Sequence, residues 1–181
     1  MKFAETELQG VYTIEPEVFQ DQRGAFFRIY DRENFLKIGF NGEFVQVNRS
    51  INKAKGTLRG MHYQQKPYDE VKLIQCTRGK VFDVIVDLRK DSATFLKWIS
   101  VELSEENNKM IFIPGGMAHG FQTLEDDSHL LYFHSRQYSP GFEGAIRYND
   151  ERVGIRWLLP VSVISEKDNN HPMLDLNFKG I

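Results

Sequence analysis

Val81-Phe82-Asp83-Val84-Ile85-Val86-Asp87-Leu88 carries the clearest periodic signal in the chain. Phe82, Val84, Val86 and Leu88 fall on one face at period two while Asp83 and Asp87 fall on the other, which predicts a β-strand. Val71 to Cys76 reads as its hairpin partner, with Thr77-Arg78-Gly79-Lys80 as the turn. The same alternation recurs in Lys97–Leu103, in Lys109–Ile113 ahead of Pro114-Gly115, in His129–His134 and in Val161–Ser165. Helical signals are few. Asp31 is placed to cap a short helix through Glu33–Ile38 that Gly39 ends, and Ser104–Asn108 reads as one helical turn or a loop. Many short strands, frequent glycine and 13% aromatic content predict an all-β antiparallel sandwich of jelly-roll type with a few short helices. The mouth of such a fold is a natural ligand site.

A chain of 181 residues fits one domain, spanning 1–181, with enough material for a sizeable core. Its net charge is −2 and its basic residues are scattered singly, so nothing advertises nucleic-acid binding. The lone Cys76 sits in strand-like sequence and reads as a buried thiol rather than a nucleophile; an intrachain disulfide is impossible, which fits a reducing compartment. No apolar run approaches the roughly 20 residues needed to span a bilayer, and Met1–Glu7 has no apolar signal-like stretch. The expectation is a soluble cytoplasmic protein with no membrane partner.

Two segments stand out chemically. Arg59-Gly60-Met61-His62-Tyr63-Gln64 is echoed by Pro114-Gly115-Gly116-Met117-Ala118-His119-Gly120-Phe121, each setting one histidine beside glycine within strand-like sequence. This pairing predicts one cavity lined from two sides. His129, His134 and His171 lack that context and read as hydrogen-bonded structural residues. A cupin metal motif would run His-x-His, then Glu, then a distant His after a Pro-x-Gly turn. Here Gln64 replaces the second histidine, Tyr68 or Asp69 falls where the Glu belongs with Glu70 slightly out of step, and Lys72 brings a cation to the same region. Both changes weaken divalent-metal affinity, so no metal is expected.

Acid–base chemistry needs a base near neutrality, an acid across the substrate and a cation for developing negative charge. His62 is the candidate base, Asp168 a carboxylate able to orient it, Tyr132 the candidate acid. Arg59, Lys72 and Arg23 offer cationic contacts suited to a phosphorylated ligand.

Several segments, taken in order, resemble the dTDP-4-dehydrorhamnose 3,5-epimerase family: Asp21–Gly24, Gln46–Asn48, Gly56–Gln64, Val71–Leu73, Phe82–Arg89, Ile113–Phe121, Tyr138-Ser139-Pro140 with Glu143-Gly144, and Ile164–Asp168. The likeness runs from about residue 10 to residue 172. It implies a cupin-type homodimer without metal or organic cofactor, acting on a nucleotide-linked 4-keto-6-deoxyhexose. The ketone acidifies the hydrogens on C3 and C5; a base removes one, an enolate forms, and an acid reprotonates the opposite face. By resemblance the base is His62 oriented by Asp168, the acid is Tyr132, eleven residues before Glu143, and Lys72 is the cation near the enolate oxygen. Arg23, Gln46, Asn48, Arg59, His119, Tyr138, Glu143 and Lys167 match positions that hold the sugar nucleotide, with Arg23 expected from the partner subunit through an exchanged N-terminal strand.

The chain departs from the family at Arg28, where a nucleotide-contacting Glu is usual, and at Arg147-Tyr148-Asn149, where tryptophan is usual. Reversed charge at position 28, itself a candidate substrate contact, opens the choice of nucleotide, including CDP, and inversion of one carbon only. A 3,4-ketoisomerase and a non-catalytic sugar-binding cupin are the competing readings, with a metal-dependent cupin oxygenase the least favoured.

Overall fold

The computed structural model describes residues 1–181 as a sandwich of two antiparallel sheets. One six-stranded sheet runs β1 (Lys2–Glu5), β2 (Tyr12–Glu15), β10 (Met110–Ile113), β7 (Lys72–Arg78), β12 (Ser128–His134), β5 (Gln46–Asn52). The other runs β13 (Glu143–Ala145), β6 (Thr57–Gln64), β11 (Met117–Thr123), β8 (Lys80–Asp87), β9 (Trp98–Ser104), with β14 (Val163–Ile164) added parallel to β6. A separate hairpin is formed by β3 (Phe19–Asp21) and β4 (Gly24–Phe26). Helix α1 (Arg32–Leu36) is capped by Asp31, whose side chain accepts from the Asn34 amide, and α2 (Glu166–Asn169) by Ser165 in the same way. The all-β jelly-roll expectation holds.

The decisive strand behaves differently from a half-buried one. β8 alternates as expected, but both faces are buried. Phe82, Val84 and Val86 pack outward beneath Ile146, Val153 and Trp157, residues that follow the last long strand. Val81 and Ile85 face the space between the sheets, where they join Ile74, Cys76, Phe121 and Leu130. Asp83 and Asp87 therefore lie on the interior side and are fully buried. Asp87 is satisfied by Arg89, Ser92 and Thr94 at 2.6–2.9 Å, a carboxylate that ties the following turn to the strand.

The predicted hairpin between Val71–Cys76 and Val81–Leu88 does not form. β7 pairs with β10 and β12, β8 with β9 and β11, so the chain crosses from one sheet to the other between them. Gly79 makes the corner at φ +67, where a Cβ would lie 2.6 Å from Ser128 Oγ. A third apolar cluster closes the outer face of the first sheet, with Phe35 wedged against Phe3, Tyr30, Phe44 and Phe112. The interior row of β7 reads Cys76, Ile74, Lys72, and that of β12 reads Leu130, Tyr132, His134. Both rows pass from apolar core to polar mouth, which is where the site lies.

Candidate active site

Glycine beside each highlighted histidine has a geometric cause. Arg59 pairs with Phe121 and His62 with His119, so β6 fits Gly60 and Met61 opposite the single Gly120 of β11. That bulge lets Arg59 and His62, three residues apart, face the same side, which strict period two would forbid. The strands approach too closely for side chains: a Cβ on Gly60 (φ +113) would lie 2.6 Å from Gly120 Cα, and one on Gly120 would lie 2.7 Å from the Arg59 carbonyl.

A cavity of about 270 Å³ opens at this end of the sandwich, lined by Arg59, His62 and His119 from one sheet, Asn48, Lys72, Tyr132 and His134 from the other, and Asp168. Three imidazole–carboxylate pairs converge on it. His62 Nε2 donates to Asp168 Oδ1 at 2.7 Å, and Asp168 Oδ2 accepts from the Gly60 amide at 3.2 Å. A carboxylate can only accept, so the His62 proton sits on Nε2 and the free lone pair on Nδ1. His119 Nε2 donates to Asp83 Oδ2 at 2.8 Å, and His134 Nδ1 to Glu70 Oε2 at 2.8 Å. Glu70 also lies 3.4 Å from Lys72 Nζ, a buried ion pair at the cavity wall.

The electrostatics separate these groups. Burial works to raise the Asp168 carboxyl, but the hydrogen bond and charge of His62 outweigh it and hold it below its ordinary value. Complete burial pushes Asp83 up, with His119 pulling the other way. Burial also drives the Tyr132 phenol well above its ordinary value, and Asp83 adds to the rise, so Tyr132 stays protonated at neutral pH. Cys76, the alternative nucleophile, is buried and its thiol is pushed up to about 11, which leaves it inert.

Gln46, Tyr138, Glu143 and Lys167 form the rim. Lys167 Nζ donates to Glu143 Oε2 at 2.5 Å, the Tyr138 hydroxyl reaches the same oxygen at 3.4 Å, and Gln46 Oε1 accepts from the Tyr138 amide at 3.1 Å. A second cavity, about 290 Å³, shares Asn48 and His134 with the first and continues to Gln46, Gln64 and Tyr138. Arg23 and Arg28 lie elsewhere: Arg23 projects from the β3–β4 hairpin beside Asp21, and Arg28 pairs with Asp31 at 2.7 Å. A larger cavity of about 650 Å³ lies against Arg89, Lys90 and Phe178 and contains no histidine. Size does not mark the chemistry here.

Sequence reasoning missed Asp83 and His134 and weighed Glu70 only as a metal ligand. His134 was expected to be structural, yet it lines the cavity. His171, likewise, lies beside Asp168 at 3.7 Å. His129 does conform: it does not line the cavity and is held by Arg49 and Asp127. No sequence spacing could have found Asp83, since its partner His119 lies 36 positions away and meets it only across paired strands.

A carboxylate-bonded imidazole and a protonated phenol line one cavity from facing sheets, an arrangement compatible with proton transfer in a cupin-type jelly roll. The comparisons give that class its particular branch. The profile of the dTDP-4-dehydrorhamnose 3,5-epimerase family matches residues 5–175. The dTDP-4-dehydrorhamnose 3,5-epimerase of Salmonella typhimurium is 45% identical over 172 residues, covering 94% of this chain and 93% of that one. The Bacillus anthracis enzyme of the same name, solved with TDP and PPi bound, superposes with a TM-score of 0.92 at 38% identity over 96% of this chain and 99% of that one. The RmlC of Legionella pneumophila, a dTDP-6-deoxy-D-glucose-3,5-epimerase solved with dTDP-4-keto-L-rhamnose, gives 0.92 at 36% identity over 97% of this chain and 94% of that one. The chain belongs to the dTDP-4-dehydrorhamnose 3,5-epimerase family, and as an epimerase it is an isomerase.

Proposed function

We propose that the protein inverts C3, C5 or both in a nucleotide-linked 4-keto-6-deoxyhexose, with a dTDP sugar as the leading substrate. The observation that carries this reading is the 2.7 Å His62–Asp168 contact in a cavity that also holds Tyr132 and Lys72. His62 Nδ1 removes the hydrogen beside the ketone, and the resulting imidazolium is stabilised by Asp168. The electron pair moves onto the carbonyl oxygen as an enolate. Lys72 supplies the positive charge for that oxygen; a preorganised donor of this kind is worth about 3–4 kcal/mol in the transition state. Tyr132 then delivers its proton to the opposite face of the carbon, which inverts the centre. Base and acid each account for roughly 10²–10⁴-fold.

The nucleotide is read as lying along the second cavity toward Gln46, Tyr138, Glu143 and Lys167, with Arg59, Asn48 and His119 contacting the sugar diphosphate. The dTDP and TDP groups bound in the relatives' structures support a thymidine nucleotide here. Arg28 pairs with Asp31 at 2.7 Å on the surface, an exchangeable contact that leaves its part in selecting the base to the nucleotide panel below. We read the chain as a single cytoplasmic domain that works as a homodimer. The β3–β4 hairpin presents Phe19 and Phe26, 61% and 74% exposed, and β5 presents Val47 and Ile51 at a free sheet edge, apolar surfaces suited to a second copy. Arg23 on that hairpin would then serve the neighbouring site.

Deuterium uptake from solvent at C3 or C5 tests the reading directly, using a panel of 4-keto nucleotides with different bases; no uptake with any of them would overturn it. Subunit mixing tests the dimer. Arg23→Ala and His62→Asn chains, each impaired alone, should regain activity when combined, because one site of the mixed dimer is then intact. A mixture as inactive as its parts would place Arg23 outside the partner's site.

A further inference from the structure

We propose that His62, Asp168 and His171 form a site for a borderline divalent transition metal, Zn²⁺ above all, and that its occupancy switches the catalytic base off. The inference rests on the reading of His62 as the base. It uses none of the Gln64, Glu70 or Lys72 positions where a cupin metal motif would fall.

The three candidate ligand atoms, His62 Nε2, Asp168 Oδ1 and His171 Nε2, all lie within 4.8 Å of one another. His62 Nε2 is 2.7 Å from Asp168 Oδ1, and His171 Nε2 is 3.7 Å from the same oxygen. The two imidazoles stand at 82° to each other with ring centroids 6.1 Å apart, so both can aim a lone pair at one point near the carboxylate. Zinc bonds of about 2.0–2.2 Å in tetrahedral geometry need ligand atoms about 3.3 Å apart. The present separations bracket that value, and the broad χ2 torsions of His and Asp allow the adjustment. His171 Nε2 is a buried nitrogen with no hydrogen-bond partner, its nearest carboxylate oxygen lying at 3.7 Å. Neither of the other two imidazole–carboxylate pairs at the cavity belongs to such a three-ligand cluster. Two imidazoles and one carboxylate suit Zn²⁺, with Cu²⁺ above it in intrinsic affinity.

The consequence follows from the proton count on one ring. In the metal-free protein the His62 proton is on Nε2 and the lone pair on Nδ1. To bind a metal, Nε2 gives up its proton while Nδ1 gains one through solvent, so the lone pair now on Nε2 holds the metal with no net change on the neutral ring. Nδ1 then donates instead of accepting and can no longer remove hydrogen from carbon. Asp168, now a metal ligand, no longer stabilises an imidazolium. The cavity itself stays open. Metal binding should therefore lower kcat while leaving KM in place, unlike an ion lodged among the nucleotide contacts.

The test uses the full chain stripped with a chelator, and Zn²⁺ and Co²⁺ as probes. Co²⁺ should bind one per chain with a visible ligand-field absorption, and Zn²⁺ should reduce kcat without raising KM. Measured against its own metal-free rate, His171→Gln should need about tenfold or more Zn²⁺ than the wild type for the same fractional inhibition, the scale seen when a metal's supporting group is lost. Absence of Co²⁺ binding, Zn²⁺ inhibition unchanged in His171→Gln, or inhibition through KM alone would each overturn the proposal. The Co²⁺ spectrum reads the site without turnover, so a chain that binds Co²⁺ but exchanges no deuterium when stripped of metal would sink the epimerase reading and the switch while leaving the metal site standing.

Discussion

Asp168→Asn exposes how one backbone amide fixes the chemistry of His62. Asp168 Oδ2 accepts from the Gly60 amide at 3.2 Å while Oδ1 accepts from His62 at 2.7 Å. In the asparagine variant the Gly60 N–H demands an acceptor, so the amide oxygen turns toward Gly60 and the NH₂ toward His62. His62 Nε2 must then accept, which moves its proton to Nδ1 and removes the lone pair that, with His62 as the base, would take hydrogen from carbon. Holding the productive tautomer instead sets two donors against each other at a cost of about 1–3 kcal/mol. The imidazolium formed on proton abstraction also loses its counter-charge, about 4 kcal/mol at 4 Å with an effective dielectric constant near 20. His62 is partly open to the cavity, which discounts the second figure, and a total of about 4–5 kcal/mol corresponds to roughly 10³–10⁴-fold in kcat. KM should stay within about threefold, since the lost interaction belongs to the transition state. Initial rates of deuterium uptake, alongside melting curves to verify folding, measure the effect. Asp168→Ala should be the less damaging of the two, because without an amide donor both tautomers remain accessible. An Asp168→Asn enzyme within tenfold of wild type, or one faster than Asp168→Ala, would refute the tautomer argument.

Other expectations are as direct. Tyr132→Phe keeps the ring packing and loses only the proton donor, so inverted product should fall by about 10²–10⁴-fold while deuterium wash-in to recovered substrate persists; normal product formation would dismiss Tyr132 as the acid. Gly60→Ala should cost about 3 kcal/mol or more, and so lower Tm by roughly 6–12 °C, because its Cβ would meet Gly120 Cα at 2.6 Å in a left-handed conformation. The Asp87 carboxyl is carried down to about 2 because its hydrogen bonds from Arg89, Thr94 and Ser92 outweigh the opposing effect of burial. A folded pKa below the unfolded one stabilises above the unfolded value, and that stability is lost as pH falls through the folded one. Asp87→Asn should thus cost about 2 kcal/mol at pH 7, a difference that fades between about pH 4 and pH 2 in denaturant titrations.

Much of this was legible from residues in series, and the failures share a cause. Period two in Val81–Leu88 correctly announced a strand, and glycine beside His62 and His119 correctly announced a shared cavity. Alternation could not tell that both faces of β8 are covered, since the cover arrives from Ile146, Val153 and Trp157, remote in sequence. The hairpin expectation failed because Gly79 looks the same whether it closes a turn within one sheet or a corner between two. Arg59 and His62 would fall on opposite faces by simple counting, and only the Gly60-Met61 bulge against Gly120 reunites them. Local patterns gave the elements; pairings across tens of residues gave the site.

Three histidines at one cavity, each with a carboxylate, raise the question of which is the base, and burial and charge separate them. A carboxylate supports an imidazolium only while it stays ionised, and Asp83, fully enclosed, is the one whose ionised form is penalised most. His119 is therefore poorly served as a base and better suited to hold substrate through a fixed tautomer. Glu70 stays ionised, but its charge is shared between His134 and Lys72, and stabilising a second cation would weaken its hold on the first. Asp168 is held ionised by its hydrogen bond and attraction to His62. The His62 side chain is 34% exposed, against 6% for His119 and 12% for His134, so it is the most open of the three imidazoles. On the proposed reading the carboxylates divide the labour: the His62–Asp168 pair would transfer protons, the His119–Asp83 pair would orient substrate, and Glu70 would temper the lysine facing the enolate.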